Sequence, residues 1–189
     1  MGAGGLLILD PLRQRIVETI LGYRIRFRHP TLICHRTALW DYSDIDAIEI
    51  GQNVSVGPYT EILVYHSSPR TSVPGRLILG DSVAIGFGTD IRAAGGMIRI
   101  GSGSGISQNC TLVAANHVVS IGEHFRDRWD EDRCGIEIGF NVWVGAHCVI
   151  LPGAVIGDGA VIAAGSVVRG TVPPGEMWAG VPAKKAKQI

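Results

Sequence analysis

The chain has 189 residues, with 17 basic and 17 acidic side chains, 26 glycines and 46% hydrophobic residues. That length suits one domain with a real core, the apolar content excludes a disordered chain, and the balanced charge argues against nucleic acid as a partner. Four cysteines without a CxxC spacing, no signal-peptide pattern and no apolar run long enough to span a bilayer point to a soluble protein of the reducing cytoplasm, with no integral membrane segment.

Residues 1–30 read as a lead-in and a capping helix. Asp10 is a plausible N-cap, Pro11 suits the first helical position, and Leu12, Ile16, Val17, Ile20 and Leu21 form one apolar stripe up to about Phe27. The arginines of this stretch (Arg13, Arg15, Arg24, Arg26, Arg28) suit either a solvated face or a membrane surface; the neutral total charge favours the solvated face.

Residues 31–175 carry a repeat. From Ile138 to Val172 the chain divides into sixes opened by Ile138, Val144, Ile150, Ile156, Ile162 and Val168. Small or short residues (Val142, Cys148, Ala154, Ala160, Ser166, Val172) fill the fifth places. An amphipathic helix has a period of 3.6 and a half-buried strand a period of 2, so neither accounts for this spacing. A period of six belongs to a parallel β-helix, in which three hexads close one triangular coil and like residues stack about 4.8 Å apart.

Earlier openings follow the same rule with gaps: Ile33, Leu39 and Ile45; Ile50, Val56 and Ile62; Leu79, Ile85 and Ile91; Ile100, Ile106 and Leu112. This predicts an all-β chain of about six coils, interrupted by insertions at 68–76 and 118–135. Pro173-Pro174-Gly175 closes the repeat, and 176–189 form a short tail with a helix near Ala183–Gln188. Cys110 and Cys148 fall at fifth places and read as small core residues.

A stacked rod has no pocket of its own, so chemistry belongs at its corners and insertions. The longer insertion begins just after Asn116-His117, which sets an imidazole outside the core and beside the loop. An imidazole there is a candidate general base; a solvated surface histidine fits the position equally well.

The segment from about Ile100 to Ile189 resembles the hexapeptide-repeat acyltransferases, in the branch of sugar, maltose, galactoside, nodulation and polysaccharide O-acetyltransferases. The resemblance rests on Asn116-His117 ahead of a long loop, Ile138-Gly-Phe-Asn-Val-Trp-Val-Gly-Ala, Ile150-Leu-Pro-Gly, Ile156-Gly-Asp-Gly, Ala164-Gly-Ser-Val-Val, Val172-Pro-Pro and Ala179-Gly-Val-Pro-Ala-Lys. It implies a left-handed helix, against the general crossover rule, and a homotrimer with acetyl-CoA between subunits, a carbohydrate acceptor and no metal. Residue by residue, it implies His117 as base, the N–H of Ala146 as oxyanion donor and Trp143 flanking the groove. It further implies Ala164 and Gly165 along the pantetheine arm, and Arg169, Lys184 and Lys187 near the phosphates. Asn116 and Glu131 are the candidates for acceptor contact. The residue that orients His117 is open among Glu123, Asp127, Asp130 and Glu131.

Three other readings compete. N-acylation of a nucleotide-linked amino sugar uses the same fold. A zinc enzyme of the γ-carbonic anhydrase type would need histidine spacings that His117, His124 and His147 do not show. A non-catalytic solenoid would ignore coenzyme A.

Overall fold

The computed structural model describes residues 11–122 and 124–189, the side chains of 11–16 excepted. Helix α1 (Pro11–Arg28) comes first. Strands then wind in threes. The first coil is β1 (Ile33–Cys34), β2 (Leu39–Tyr42) and β3 (Ile48–Ile50); the second is β4 (Ser55–Val56), β5 (Glu61–Tyr65) and β6 (Arg76–Leu79). The third is β7 (Ala84–Ile85), β8 (Asp90–Ala94) and β9 (Met97–Ile100); the fourth is β10 (Gly105–Ile106), β11 (Thr111–Val113) and β12 (Ile136–Ile138). The fifth is β13 (Trp143–Val144), β14 (Val149–Ile150) and β15 (Ala154–Ile156); the sixth is β16 (Val161–Ile162), β17 (Val167–Val168) and β18 (Thr171–Val172). Two strands follow, β19 (Glu176–Ala179) and β20 (Lys184–Gln188).

Every third strand joins the same parallel sheet. One face of the prism, here the first, runs β1-β4-β7-β10-β13-β16-β19; the second holds β2 to β17 and the third β3 to β18. The fold is a left-handed parallel β-helix of six triangular coils with an N-terminal helix.

The core is three ladders of inward aliphatics. On the third face Leu79, Ile100, Ile138, Ile156 and Val172 stack in register, each at most 2% exposed. Burying each such side chain contributes roughly 1.5–3 kcal/mol, and repetition makes the sum large. The fifth places sit at closed corners: Val142, Cys148, Ala154, Ala160 and Ser166 are all buried. Cys110 is buried too, with its thiol near the Gly145 carbonyl. Turns between faces need left-handed backbone. Asn53, Ser82, Gly103, Asn141 and Gly159 supply it once per coil between the third face and the first, and Asn or Gly accept that conformation at least cost.

The first coil departs from the expected phase. Ile33 and Leu39 are exposed, while Cys34 and Trp40 take the inward register opposite Val56 and Ile62. A slip of one residue exchanges faces. Here Trp40, fully buried, fills the prism's end beneath α1, which an Ile or Leu would leave void. Among the described side chains the last part of α1 does the covering: Ile25 is fully buried, and the Tyr42 hydroxyl donates to the Leu21 carbonyl at 3.2 Å. Val17 and Ile20, expected in the stripe, face solvent. Asp10, Leu12 and Ile16 lie outside the described residues or side chains.

The tail also differs. The parallel pairing continues past Pro173-Pro174-Gly175, since β19 joins β16. Residues 184–188 are strand, not helix: β20 pairs antiparallel with β19. An open sheet edge leaves backbone groups unpaired, and satisfying them outweighs the helix preference of Ala and Lys.

Both insertions leave from one edge, between the second and third faces. The shorter joins β5 to β6 across residues 66–75, and the longer joins β11 to β12 across 114–135. Gly75 sits where a side chain would strike the carbonyl oxygens of Tyr65 and Ala93. Gly75→Ala is therefore expected to cost about 1–3 kcal/mol, read as a lowered denaturation midpoint.

Candidate active site

The long loop closes at its base. The N–H of Asp130 donates to the Asn116 carbonyl at 2.8 Å and that of Val118 to the Arg128 carbonyl at 3.2 Å, so His117 faces Trp129 across a bridge. The shorter insertion is fastened to it. Arg70 Nε donates to the Arg126 carbonyl at 2.8 Å, and the N–H of Trp129 donates to the Arg70 carbonyl at 3.0 Å.

Glu131, a candidate for acceptor contact, is the principal fastener. Its carboxylate accepts from the Thr71 hydroxyl at 2.7 Å and from the N–H of Ser72 at 2.6 Å. The Thr71 hydroxyl, then the Ser72 N–H and hydroxyl, hold its pKa below the ordinary glutamate value. A depressed carboxyl pKa gives stabilisation that is complete above the unfolded-state value and fades as pH falls through the lowered one. The clasp thus persists at neutral pH. Glu131→Ala is expected to speed tryptic cleavage at Arg126, Arg128 or Arg133 on the order of tenfold at neutral pH, because cleavage follows the population of the opened loop.

His117 is solvent-accessible and held in place. Its Nδ1 lies 2.7 Å from the Phe125 carbonyl oxygen. A carbonyl only accepts, so Nδ1 carries a proton, and in the neutral ring Nε2 holds the lone pair. Phe125 and Trp129 meet the imidazole edge-on, with centroids at 5.4 and 6.3 Å. Of the four loop acids weighed as orienting partners, Asp127 caps the N–H of His124, Asp130 caps those of Asp132 and Arg133, and Glu131 holds the other insertion. Glu123 lies outside the described residues. The orienting group is a main-chain carbonyl of an apolar residue, for which no side-chain pattern exists.

The imidazole borders a cavity of about 410 Å³ shared with Tyr65, Ser67, Ser68, Arg92 and Trp129. The Tyr65 hydroxyl donates to Asp41 at 2.6 Å; burial first, then the bond to Asp41, pushes its pKa up to about 12. Tyr65 is thus a neutral phenol and no rival base. Arg92 is paired, its Nε 2.9 Å from Asp90 and its Nη2 3.5 Å from Glu61. Sequence reasoning missed Tyr65 and Arg92 because they lie two coils and one coil before His117. Asn116 turns away from this cavity: its side-chain oxygen accepts from the N–H of His117, and it borders a neighbouring cleft with Asp130, Arg133 and Arg169.

The other candidates gather elsewhere. Ala146, Ala164 and Gly165 lie at the edge between the first and second faces, in the fifth and sixth coils. Trp143, on the adjoining first face, is half exposed, and its ring lies over Gly105, where a β-carbon would press into it. The N–H groups of Gly145 and His147 donate to Ile162 and Gln108, whereas that of Ala146 has no acceptor among the described residues. Lys184 and Lys187 are exposed on β20, along the same face; their neighbour Lys185 is paired with Glu176. His147 belongs to this edge, away from His117 and His124. The candidates therefore fall on two edges of the prism: His117 and, by a neighbouring cleft, Arg169 on one, and Trp143, Ala146, Ala164 and Gly165 by the other.

Residues 135–170 match the family model described as bacterial transferase hexapeptide (six repeats). The chain carries the hexapeptide repeat of the bacterial transferases. It is 40% identical over 92 residues to galactoside O-acetyltransferase of Escherichia coli (strain K12), covering 49% of this chain and 44% of that protein. Among the first curated relatives the match spans 44% to 62% of the relative's length. The fold is similar to a variant of AntD, an N-acyltransferase from Bacillus cereus in complex with dTDP and coenzyme A (TM-score 0.66, 21% identity, 88% of each chain). It is also similar to a maltose O-acetyltransferase from Clostridium difficile 630 (TM-score 0.57, 20% identity, 95% of this chain and 89% of that one).

Proposed function

We propose that this hexapeptide-repeat chain is an acetyl-CoA-dependent O-acetyltransferase acting in the cytoplasm on a carbohydrate hydroxyl, in a small sugar or a polysaccharide or lipopolysaccharide precursor. The observation that carries the reading is the fixed tautomer of His117: the Phe125 carbonyl at 2.7 Å leaves Nε2 basic beside a cavity walled by aromatic rings and serine hydroxyls. Nε2 takes the proton of the acceptor hydroxyl as its oxygen bonds to the acyl carbon. The carbon–sulfur bond breaks, and the proton passes to the leaving thiolate. The imidazolium formed is stabilised by its Nδ1–H bond to the carbonyl. The open N–H of Ala146 suits the role of donor to the acyl oxygen.

His117 and Ala146 stand on different edges of one prism. A homotrimer that sets one protomer's His117 edge against its neighbour's Ala146 edge would complete the site. Similarity to the galactoside and maltose enzymes supports a hydroxyl acceptor; AntD motivates testing amines beside it. The deciding experiment incubates the purified chain with acetyl-CoA and panels of hydroxyl and amino sugars, following thiol release. Ester products support this reading, and amide products alone replace it with N-acylation. No release, with no shift in melting midpoint on adding coenzyme A, leaves a binding scaffold.

A further inference from the structure

Helix α1 is apolar on two opposite faces. Toward the prism it sets Leu21, Gly22 and the fully buried Ile25. On the far side Ile20, Tyr23 and Phe27, spaced to share one face, are 52%, 66% and 91% exposed. A side chain as large as Phe27 held in water costs about 1.5–3 kcal/mol relative to burial, so three together mark a surface that meets something.

The helix itself carries an excess of basic residues. The 18 residues of α1 hold Arg13, Arg15, Arg24, Arg26 and Arg28 against the single acid Glu18. Tyr23, Arg24, Phe27, Arg28 and Ile45 line a cleft of about 460 Å³ that combines two guanidinium groups with apolar walls. Arg28 is tied to Asp46 at 2.6 Å, and Arg26 donates to the His35 carbonyl at 3.1 Å. Both arginines are thus anchored to the first coil, and the exposed Arg24 lies beside Tyr23. Strands β1, β2 and β3 are the terminal strands of their sheets, so α1 covers the prism's end and its outer face is the end surface. Among the described residues no helix is long and apolar enough to cross a membrane.

From this juxtaposition we infer that the outer face of α1 is a docking surface for an anionic lipid bilayer: Ile20, Tyr23 and Phe27 enter the headgroup boundary and Arg24 and Arg28, beside them in the cleft, meet lipid phosphates. Apolar insertion and cationic attraction together are what hold a helix in the membrane plane. The balanced charge of the whole chain does not oppose this, because the attraction is local and screened within a Debye length. Prisms assembled side by side would present several such ends to one plane, and linked weak contacts multiply in strength.

The test is co-sedimentation of the full chain with phosphatidylcholine vesicles, with and without about 30% phosphatidylglycerol. Binding to the anionic vesicles is expected to exceed binding to neutral ones by about tenfold and to fall as salt rises. Ile20→Ser combined with Phe27→Ser should lower it by about tenfold, and Arg24→Gln severalfold, with circular dichroism and elution volume unchanged. Should the double variant lose its fold, Phe27→Ser alone, at a side chain already in solvent, takes its place. Equal binding to both vesicle types, or undiminished binding by the variants, overturns the inference. So does a smaller assembly in the Ile20/Phe27 variant, which would assign the face to a second copy of the chain.

Discussion

His117→Ala is expected to lower turnover by roughly 10²–10⁴, the range a positioned general base contributes, while the thermal shift on adding coenzyme A persists. The side chain is exposed and belongs to no core ladder, so its removal leaves the prism standing. The imidazole is bonded to a loop carbonyl at 2.7 Å, a contact that can serve either to present Nε2 or to hold the loop. The pairing of results is therefore informative. Lost turnover with retained coenzyme A binding isolates the proton-transfer step; full turnover removes His117 from the mechanism; loss of both would mean that the imidazole supports the loop's shape instead.

Ile156→Asp is expected to unfold the C-terminal coils, at a cost of several kcal/mol, on the order of 3–5. Ile156 is 1% exposed and stacks between Ile138 and Val172, so a carboxylate there has neither water nor a cation. Charge as such is tolerated by this sheet: Glu137, one residue before Ile138, points outward and lies 3.4 Å from Arg99. Thermal denaturation followed by circular dichroism checks the prediction. A cooperative transition near the wild-type midpoint would contradict the inward assignment.

The middle and end of the rod were readable because a six-residue period imposes one demand on every coil. Ile138, Val144, Ile150, Ile156, Ile162 and Val168 are all buried as expected. The first coil was not readable by that rule, because it stacks on a neighbour at one end only. There the large ring of Trp40 fills the space under α1 and takes the inward place from Leu39. The five residues of β20 include helix-favouring types, and an unpaired sheet edge overruled them.

At the site, Asn116-His117 stood out because a long insertion follows it. The Phe125 carbonyl, Tyr65 and the grip of Glu131 on Thr71 and Ser72 did not. The first depends on how the loop folds back on itself through a main-chain atom, and the others on which turns of the winding become neighbours, residues 71 and 131 being far apart along the chain. The separation of Ala146 from His117 by a face of the prism was hidden for the same reason.

Both insertions leave the rod along a single corner of the triangle. Two corners consequently carry no long loop, while recognition can be rewritten on the third by lengthening or exchanging its loops. Such a scaffold separates what must stay constant from what can vary, and a graft of 66–75 together with 114–135 should travel as one cassette.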